Sequence, residues 1–408
     1  MRLRYLLPLL LGFGFSLAWA QTEFGFSGRI DSEFGLAWSG DLPVAGAGLE
    51  LGVRGQSGSG FFPDATFGAT LLAGYDAASG EASLEPGSVH VTLHLDDFDL
   101  SIGRQIVFWG STDGINPVDV VNPRDLSFPP ASRKIPVPLF RAIWYAHDSF
   151  RLEAVLLPVF TPSVLPGEAW RPALKPGMLP PGSSISEQRE PIRQLPEAEA
   201  RNIQFGLRAT TRFEGADVSL TYFHGFRSQP TLQPTLVPLA PGEFALQPWL
   251  HYSRIDLLGI DFSAAISDVI LRGEFGWSMT SDADGTDPLV ENNYLQAVLG
   301  GEYAFSAGSN LIVQGILDWQ APDAGKTADS SFRLMTGLNH QLSTRTRLEL
   351  AWLQDFDGSG TVMPRVNHVF ADGVTVHAGA WLFYGADGTQ YGNWRDNSQV
   401  RIGMSYEF

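Results

Sequence analysis

The residues whose types and spacing could act on a solute are concentrated in residues 109–136, between two predicted strands. This stretch carries carboxylates, amides and bases, and the strand after it adds one arginine: Asp113, Asn116, Asp119, Asn122, Arg124, Asp125, Arg133, Lys134 and Arg141. The four bases could form a constriction that favours anionic or hydroxylated solutes. The alternative is a loop that packs against the wall of a barrel through paired charges, and the residues alone leave both interpretations open.

A second set of charges recurs at alternate positions of predicted strands, opposite rows of apolar side chains. Its members are Arg208, Arg212, Arg272, Glu274, Arg333, Arg347, Glu349 and Arg401. A lysine or arginine on a lipid-facing row at mid-membrane would cost about 2–4 kcal/mol. We therefore expect these side chains to face a water-filled lumen, where opposed charges order water and disfavour apolar solutes.

One acidic segment resembles part of a calcium loop. Asp282, Asp284 and Asp287 alternate around a glycine, but the twelfth position, where a calcium loop has a bidentate glutamate, holds Asn293. We interpret the segment as an acidic, solvated loop, with calcium as the weaker alternative and no other metal site.

Enzymatic chemistry has little support in the sequence. His90 and His94 share one row of a predicted strand and could meet in a lumen, but neither lies in a recognisable motif. The chain has no phosphate-binding loop, dinucleotide fingerprint or zinc-protease motif, and it has no cysteine. We predict no enzyme and no cofactor.

The composition restricts the partners. The chain holds 27 lysines and arginines and 44 aspartates and glutamates, a formal charge of −17. This balance does not suit nucleic acid, which needs cationic contacts to phosphate. Residues 1–20 combine Arg2 and Arg4, a short apolar run and Ala18-Trp19-Ala20, as in a cleaved signal peptide. The mature chain, residues 21–408, is expected to form a single domain.

Apolar and polar residues alternate with a period of two along nearly the whole mature chain, which indicates strands rather than helices. We predict eighteen strands: 24–38, 44–54, 64–76, 84–96, 98–108, 137–147, 150–160, 201–213, 216–227, 248–266, 269–280, 291–305, 310–320, 330–342, 346–357, 360–370, 373–384 and 397–408. Sixteen is the alternative count, because 248–266 and 360–370 alternate least clearly. The predicted fold is all-β, a transmembrane antiparallel up-and-down β-barrel.

The connections between these strands sort by length. Every second one is a short turn, apart from a longer Gly-Ser-rich connection at 55–63, and all the long ones fall in the other set, including 109–136, 161–200 and 228–247. Outer-membrane barrels have short periplasmic turns and long extracellular loops. The last strand places Val400, Ile402, Met404, Tyr406 and the terminal Phe408 on one row. From that ending we expect outer-membrane lipid and the barrel-assembly machinery as partners.

One segment resembles a known family. Residues 103–110 read Gly-Arg-Gln-Ile-Val-Phe-Trp-Gly, and residues 115–125 read Ile-Asn-Pro-Val-Asp-Val-Val-Asn-Pro-Arg-Asp. They resemble a bacterial outer-membrane family of unknown function that is related to the alginate-export porins, over about 65 residues from 103 to 166. The resemblance implies a monomeric barrel of about eighteen strands with a transport role, and it does not imply alginate as the solute.

The sequence therefore favours a porin-type channel in the outer membrane of a double-membrane bacterium, for small hydrophilic solutes that include anions or saccharides. Two alternatives stay open. One is a transporter of hydrophobic compounds or lipids, with residues 109–136 and 161–200 as an apolar entry site. The other is a plugged barrel that acts as an adhesin, receptor or structural anchor.

Overall fold

The computed structural model describes residues 22–38, 44–59, 62–167, 170, 179 and 182–408. Eighteen antiparallel strands form one sheet. The first nine are β1 (Thr22–Ala37), β2 (Val44–Ser59), β3 (Phe62–Asp76), β4 (Glu81–His94), β5 (Phe98–Gln105), β6 (Val137–His147), β7 (Phe150–Leu157), β8 (Gln204–Phe213) and β9 (Ala216–Phe226). The other nine are β10 (Arg254–Ile266), β11 (Val269–Thr280), β12 (Tyr294–Ser306), β13 (Ser309–Gln320), β14 (Asp329–Ser343), β15 (Thr346–Asp355), β16 (Gly360–Ala371), β17 (Val374–Tyr384) and β18 (Gln399–Glu407).

The sheet closes on itself. Each strand pairs with the next along the chain, and β1 pairs with β18 over Arg29–Ala37. Closure satisfies the backbone groups that an open edge would leave unpaired in lipid. The predicted fold class and the count of eighteen strands are confirmed.

The two faces of the sheet differ as the period of two requires. The outward row of β18 exposes Val400, Ile402, Met404 and Tyr406, whereas Gln399 and Arg401 on the inward row are buried. The same holds in β1, where Phe24, Phe26 and Phe34 are exposed outside. An exposed belt of large apolar side chains around a closed sheet is the surface that lipid covers.

Connections differ between the two rims. At the short-turn rim, strands are joined by two or three residues, as at 95–97, 148–149, 214–215 and 267–268. At the long-loop rim the connections include 106–136, 158–203, 227–253 and 281–293. This sorting by alternate connections agrees with the prediction, and it places the ends of β5, β7 and β9 at the long-loop rim.

Several strand boundaries differ from the predictions. For example, β2 continues to Ser59 and β3 begins at Phe62, so most of the connection predicted over 55–63 is strand. The strand predicted over 98–108 ends at Gln105, so the following loop begins at 106. The strand predicted over 248–266 begins at Arg254. The loop predicted over 228–247 contains a hairpin, Thr231–Ala240 with Glu243–His251, which pairs in parallel with Ser184–Gln188 and Ile192–Gln194. The alternation of the hairpin continued into the next strand, so the sequence did not show where one ended.

The predicted signal peptide, residues 1–20, lies outside the described residues. Among the described residues, no helix is both long enough and apolar enough to cross a membrane.

Candidate functional site

The loop between β5 and β6 folds into the lumen. Val107, Trp109, Val118 and Val121 of this loop are buried, and they pack in one cluster with inward-facing side chains of β6, β7, β9 and β10, such as Phe223. Burial of these side chains stabilises the inward position of the loop by roughly 1.5–3 kcal/mol for each large side chain. We call residues 106–136 the inner loop.

Glu274 anchors the inner loop to β11. Its carboxylate, 4% exposed, accepts hydrogen bonds from the backbone N–H groups of Ser111 (2.5 Å) and Thr112 (2.6 Å) and from the Thr112 hydroxyl (2.8 Å). The Asn116 amide donates to the same oxygen at 3.3 Å. Gly110 has φ of 95°, and a Cβ there would lie 2.5 Å from Glu274 Oε1. The glycine therefore permits both the turn and the close approach.

Asp119 links the start of the inner loop, at Trp109, to its end, at Lys134. Its carboxylate accepts from Lys134 Nζ at 2.6 Å, from Arg124 Nη2 at 3.1 Å and from the backbone N–H of Trp109 at 3.2 Å. Lys134 is buried and also donates to the Val107 carbonyl at 2.6 Å. Burial lowers the pKa of Lys134, and the carboxylate beside it opposes that shift.

The remaining polar residues of the inner loop also have partners within the protein. Asn122, 2% exposed, accepts from the Val107 N–H at 2.8 Å and donates to the Ile135 carbonyl at 3.0 Å. Asp125 accepts from the Ser127 hydroxyl at 2.6 Å and lies 3.6 Å from Arg133. The carboxylate of Asp113 accepts from Arg272 of β11 at 3.1 Å.

Arg141 lies on β6 rather than in the loop, so it belongs to the wall of the lumen. It donates to Glu153 of β7 at 2.8 Å, and Glu153 also accepts from the Trp109 indole at 3.0 Å. All four candidate bases of the constriction are thus paired with a carboxylate. This arrangement is the one that the alternative interpretation, packing through paired charges, describes.

The eight candidates for the water-facing row all lie on the inward face of the barrel, as the strand register shows: Arg208, Arg212, Arg272, Glu274, Arg333, Arg347, Glu349 and Arg401. Several of them form ion pairs with carboxylates on other strands. Arg208 binds Asp261 at 2.6 Å, and Arg401 binds Glu33 at 2.5 Å. Arg333 is paired with Asp318. Asp261 was not among the candidates from the sequence, because nothing local distinguishes it from other charges.

A second segment continues the inner loop across the lumen. The Leu126 N–H donates to the Val164 carbonyl at 3.0 Å, and the Val164 N–H donates to the Arg124 carbonyl at 3.0 Å. The Gly167 N–H then donates to the Ser127 carbonyl at 3.3 Å. This segment, within the predicted loop 161–200, is therefore attached to the inner loop by an isolated parallel β-bridge between Asp125 and Val164.

Trp170 packs at the opposite wall. Its ring lies 5.5 Å, between centroids, from both Phe383 of β17 and Trp394 of the loop before β18. The Trp394 indole donates to the Trp170 carbonyl at 3.1 Å, and Tyr391 packs on Trp394. We call these four side chains the aromatic box. This box could not be predicted from the sequence, because Trp170 stands alone in a proline-rich segment.

The inner loop covers only one side of the lumen. On the covered side, Glu153, Asp261 and Glu274 are between 3% and 4% exposed. On the other side, the side chains of Arg29 and Asp31 on the inward row of β1 are both 51% exposed. Inward-facing charges therefore remain in contact with water along β1, and the loop does not fill the barrel.

A cavity of about 890 Å³ lies between the inner loop and the wall formed by β12 to β16. Three guanidinium groups line it, those of Arg124, Arg227 and Arg333. Five carboxylates line it as well: Asp119, Glu291, Asp318, Asp329 and Asp355. The formal charge of its lining is therefore −2, which differs from the basic constriction that the sequence suggested.

The segment that resembled part of a calcium loop forms a hydrogen-bonded turn. Asp282 accepts hydrogen bonds from the Thr286 N–H at 3.0 Å and from the Asp287 N–H at 2.9 Å, so its oxygens close a turn of their own loop. Asp287 accepts from the Leu289 N–H at 2.9 Å. Across the part of the chain that the structure describes, no three histidines or carboxylates are grouped as metal ligands.

Comparison with known proteins agrees with this architecture. The family model described as "Protein of unknown function (DUF1302)" matches residues 90–301, which include the whole inner loop. No curated protein is significantly similar to the chain in sequence.

Solved structures share the fold. A structure of Salmonella typhi OmpF in complex with daunomycin has a TM-score of 0.50 and 10% identity, over 94% of this chain and 97% of that chain. A structure of OmpT, an outer membrane protein of Vibrio cholerae folded in vitro, has a TM-score of 0.50 and 10% identity, over 95% and 98%. At this identity the likeness shows the fold alone. A closed barrel with an apolar belt and a wet interior spans the bacterial outer membrane, so the chain is an outer-membrane protein.

Proposed function

The chain belongs to the DUF1302 family of proteins of unknown function, and we propose that it is a channel through which small hydrophilic solutes diffuse across the outer membrane. The observation that carries this proposal is the one-sided cover of the lumen. Glu153 of β7, Asp261 of β10 and Glu274 of β11 are buried beneath the inner loop, whereas Arg29 and Asp31 on the inward row of β1 stay half-exposed to water. A plugged barrel would bury both sides.

The same geometry favours a revised ion preference. Each base of the inner loop is neutralised by a carboxylate within the protein, and the cavity has a formal charge of −2. Fixed charge in a pore attracts ions of the opposite sign. We therefore propose a weak preference for cations over anions, together with passage of neutral hydrophilic solutes such as saccharides.

Reversal potentials test the ion preference. The refolded mature protein would be inserted in a planar bilayer with a tenfold KCl gradient, and the zero-current potential measured. The zero-current potential is expected to have the sign of a preference for potassium. D329N and D355N should each bring this potential closer to zero, because each removes one carboxylate from the cavity lining. A matched control is D148N, since this carboxylate lies in a turn at the short-turn rim, away from the cavity. Chloride preference in the unaltered protein would contradict the proposal.

One observation favours a second candidate function, passage of compounds with an apolar face. Met335 and Leu353 are direct partners on the inward row of β14 and β15, and Met363 follows on β16. All three line the cavity, together with Tyr391 and Trp394. Uncharged apolar side chains facing a lumen would bind an apolar surface and slow its passage.

Block of the potassium current by an aromatic solute tests this second function. A small planar aromatic solute such as naphthalene sulfonate should interrupt the potassium current of the unaltered channel. M335N with M363N should shorten each interruption, because both changes remove apolar contact from the cavity. Equal interruption times in the two proteins would exclude the apolar wall as a binding surface.

Three further expectations remain proposals. The barrel is monomeric, which light scattering in detergent would test. The assembly machinery recognises the terminal Phe408, whose backbone pairs with Gly28 of β1, and deletion of this residue should lower the yield of the folded barrel in the membrane. The relationship of the family to the alginate-export porins also stays a prediction.

A further inference from the structure

Four side chains form a hydrogen-bonded chain on the lumen wall near the short-turn rim. His94 Nε2 lies 3.1 Å from the hydroxyl of Thr66, and His94 Nδ1 lies 2.6 Å from Asp99 Oδ1. Tyr145 donates its hydroxyl proton to Asp99 Oδ2 at 2.8 Å. These residues belong to β3, β4, β5 and β6, and the hairpin turn at 95–97 lies beside them.

The partners of His94 define the direction of these hydrogen bonds when its imidazole is neutral. A carboxylate only accepts, so His94 must carry its proton on Nδ1, which faces Asp99. The opposite nitrogen, Nε2, then has a free lone pair in the neutral imidazole. The Thr66 hydroxyl must therefore donate to Nε2. A hydroxyl that donates to an imidazole whose other nitrogen is held by a carboxylate is the arrangement of a nucleophile, a base and a positioning group.

We propose that Thr66, His94 and Asp99 form an acyl-transfer site that hydrolyses small water-soluble esters in the lumen. The Thr66 oxygen attacks the carbonyl carbon of the ester, and His94 Nε2 takes the hydroxyl proton. The bond to the leaving alcohol then breaks, and the alcohol leaves with the proton from His94. Water then attacks the carbonyl carbon of the acyl ester on Thr66 while His94 Nε2 takes a proton from it. The bond between that carbon and the Thr66 oxygen breaks, the acid is released, and Thr66 regains its proton from His94.

Two further features suit this chemistry. The site is accessible, because the side chains of His94 and Asp99 are 39% and 22% exposed to the lumen. Gln56 of β2 is the direct cross-strand partner of Thr66, and directly opposed residues have their Cβ atoms about 5 Å apart. A side-chain amide at this cross-strand position carries the kind of N–H donor that stabilises the oxyanion formed when Thr66 attacks.

The absence of a motif along the chain led to the expectation that the protein is not an enzyme. A triad on three neighbouring strands has no such motif, because its spacing is set by strand register. His94 and Asp99 are direct partners across the turn at 95–97, and Thr66 lies on the strand before them. This activity would be additional to the proposed channel and does not depend on it.

The test uses the full refolded barrel and p-nitrophenyl acetate as the probe. Hydrolysis is expected above the rate of an equal concentration of free imidazole. H94A should lose about 100-fold in kcat/KM, the usual contribution of a general base, and added imidazole should restore part of it. D99N should lower kcat by tenfold or more with KM unchanged, because it permits the wrong tautomer of His94 without removing a substrate contact.

Matched controls lie on the same strand and the same face. Among the described residues, Nδ1 of His90 has no hydrogen-bond partner, and Thr92 bonds to Ser101 rather than to a histidine, so H90A and T92A should keep the rate. T66A should abolish hydrolysis and T66S should keep it. The β-sheet circular dichroism spectrum of each variant in detergent shows that its barrel has folded. A rate that is unchanged in T66A and H94A, or a rate in the unaltered protein no higher than that of imidazole, would overturn the proposal.

Discussion

Removing the charge of Glu274 should release the inner loop from the wall. In E274Q the side chain keeps its shape but loses the negative charge that accepts from Ser111 and Thr112. Hydrogen bonds to a charged group contribute about 1.5–3 kcal/mol each and neutral ones about 0.5–1.5 kcal/mol. Three such bonds therefore weaken by roughly 3–5 kcal/mol in total, which shifts the balance between the docked and released loop at least a hundredfold.

Single-channel recording is the assay for this change. The unaltered channel should show steady steps of one size, because the loop stays docked. E274Q should show larger and noisier steps, since the lumen widens whenever the loop leaves the wall. Limited proteolysis should cut the variant within residues 106–136, a segment that the unaltered barrel protects.

The matched control is E349Q, which removes a carboxylate from the inward row of β15, away from the buried anchor of the loop. Its current steps should remain steady. The reasoning would be refuted if E274Q kept the step size, the noise and the protease resistance of the unaltered protein, because the loop would then be held by its apolar cluster alone.

Three other changes should have measurable effects. D119N leaves a buried ammonium group without its carboxylate and should cost about 3–5 kcal/mol, seen as larger and noisier current steps than in the unaltered channel. W170A removes the ring that fills the aromatic box and should raise the single-channel conductance. An unchanged conductance would show that the box does not narrow the route that ions take through the lumen. D261N breaks the buried pair with Arg208 and should lower the free energy of unfolding in urea by about 3–5 kcal/mol. The exposed pair of Arg212 with Asp217 is the control. D217N should change the free energy of unfolding by under about 1 kcal/mol.

The barrel could be predicted because each strand carries its own alternation of apolar and polar residues. Lipid on one side and water on the other impose a period of two, so each strand shows in its own residues. The strand register places the rows that hold Arg272 and Glu274 on the inward face, where this pattern led us to expect them. The hairpin at 231–251 was missed because its own alternation runs into β10, and alternation cannot mark the end of a strand.

The site could be predicted only in part, because its contacts are not local. The sequence drew attention to residues 109–136, but it could not show that Asp119 neutralises Lys134 and Arg124. Glu274 and the loop that it holds are separated by about 160 residues, so their contact appears only after the barrel closes. The triad is an intermediate case, since the register of one hairpin places His94 opposite Asp99.

Thiol labelling tests most directly whether the lumen is open on one side. The chain has no cysteine, so a single introduced cysteine reports its own position. Glu50 of β2 is an exposed residue on the inward row of the open side, and Thr221 of β9, 3% exposed, is on the inward row of the covered side. A charged methanethiosulfonate reagent should reduce the single-channel current of E50C and leave that of T221C unchanged. No current in either protein, or equal block of both, would contradict an open channel bordered by a docked inner loop.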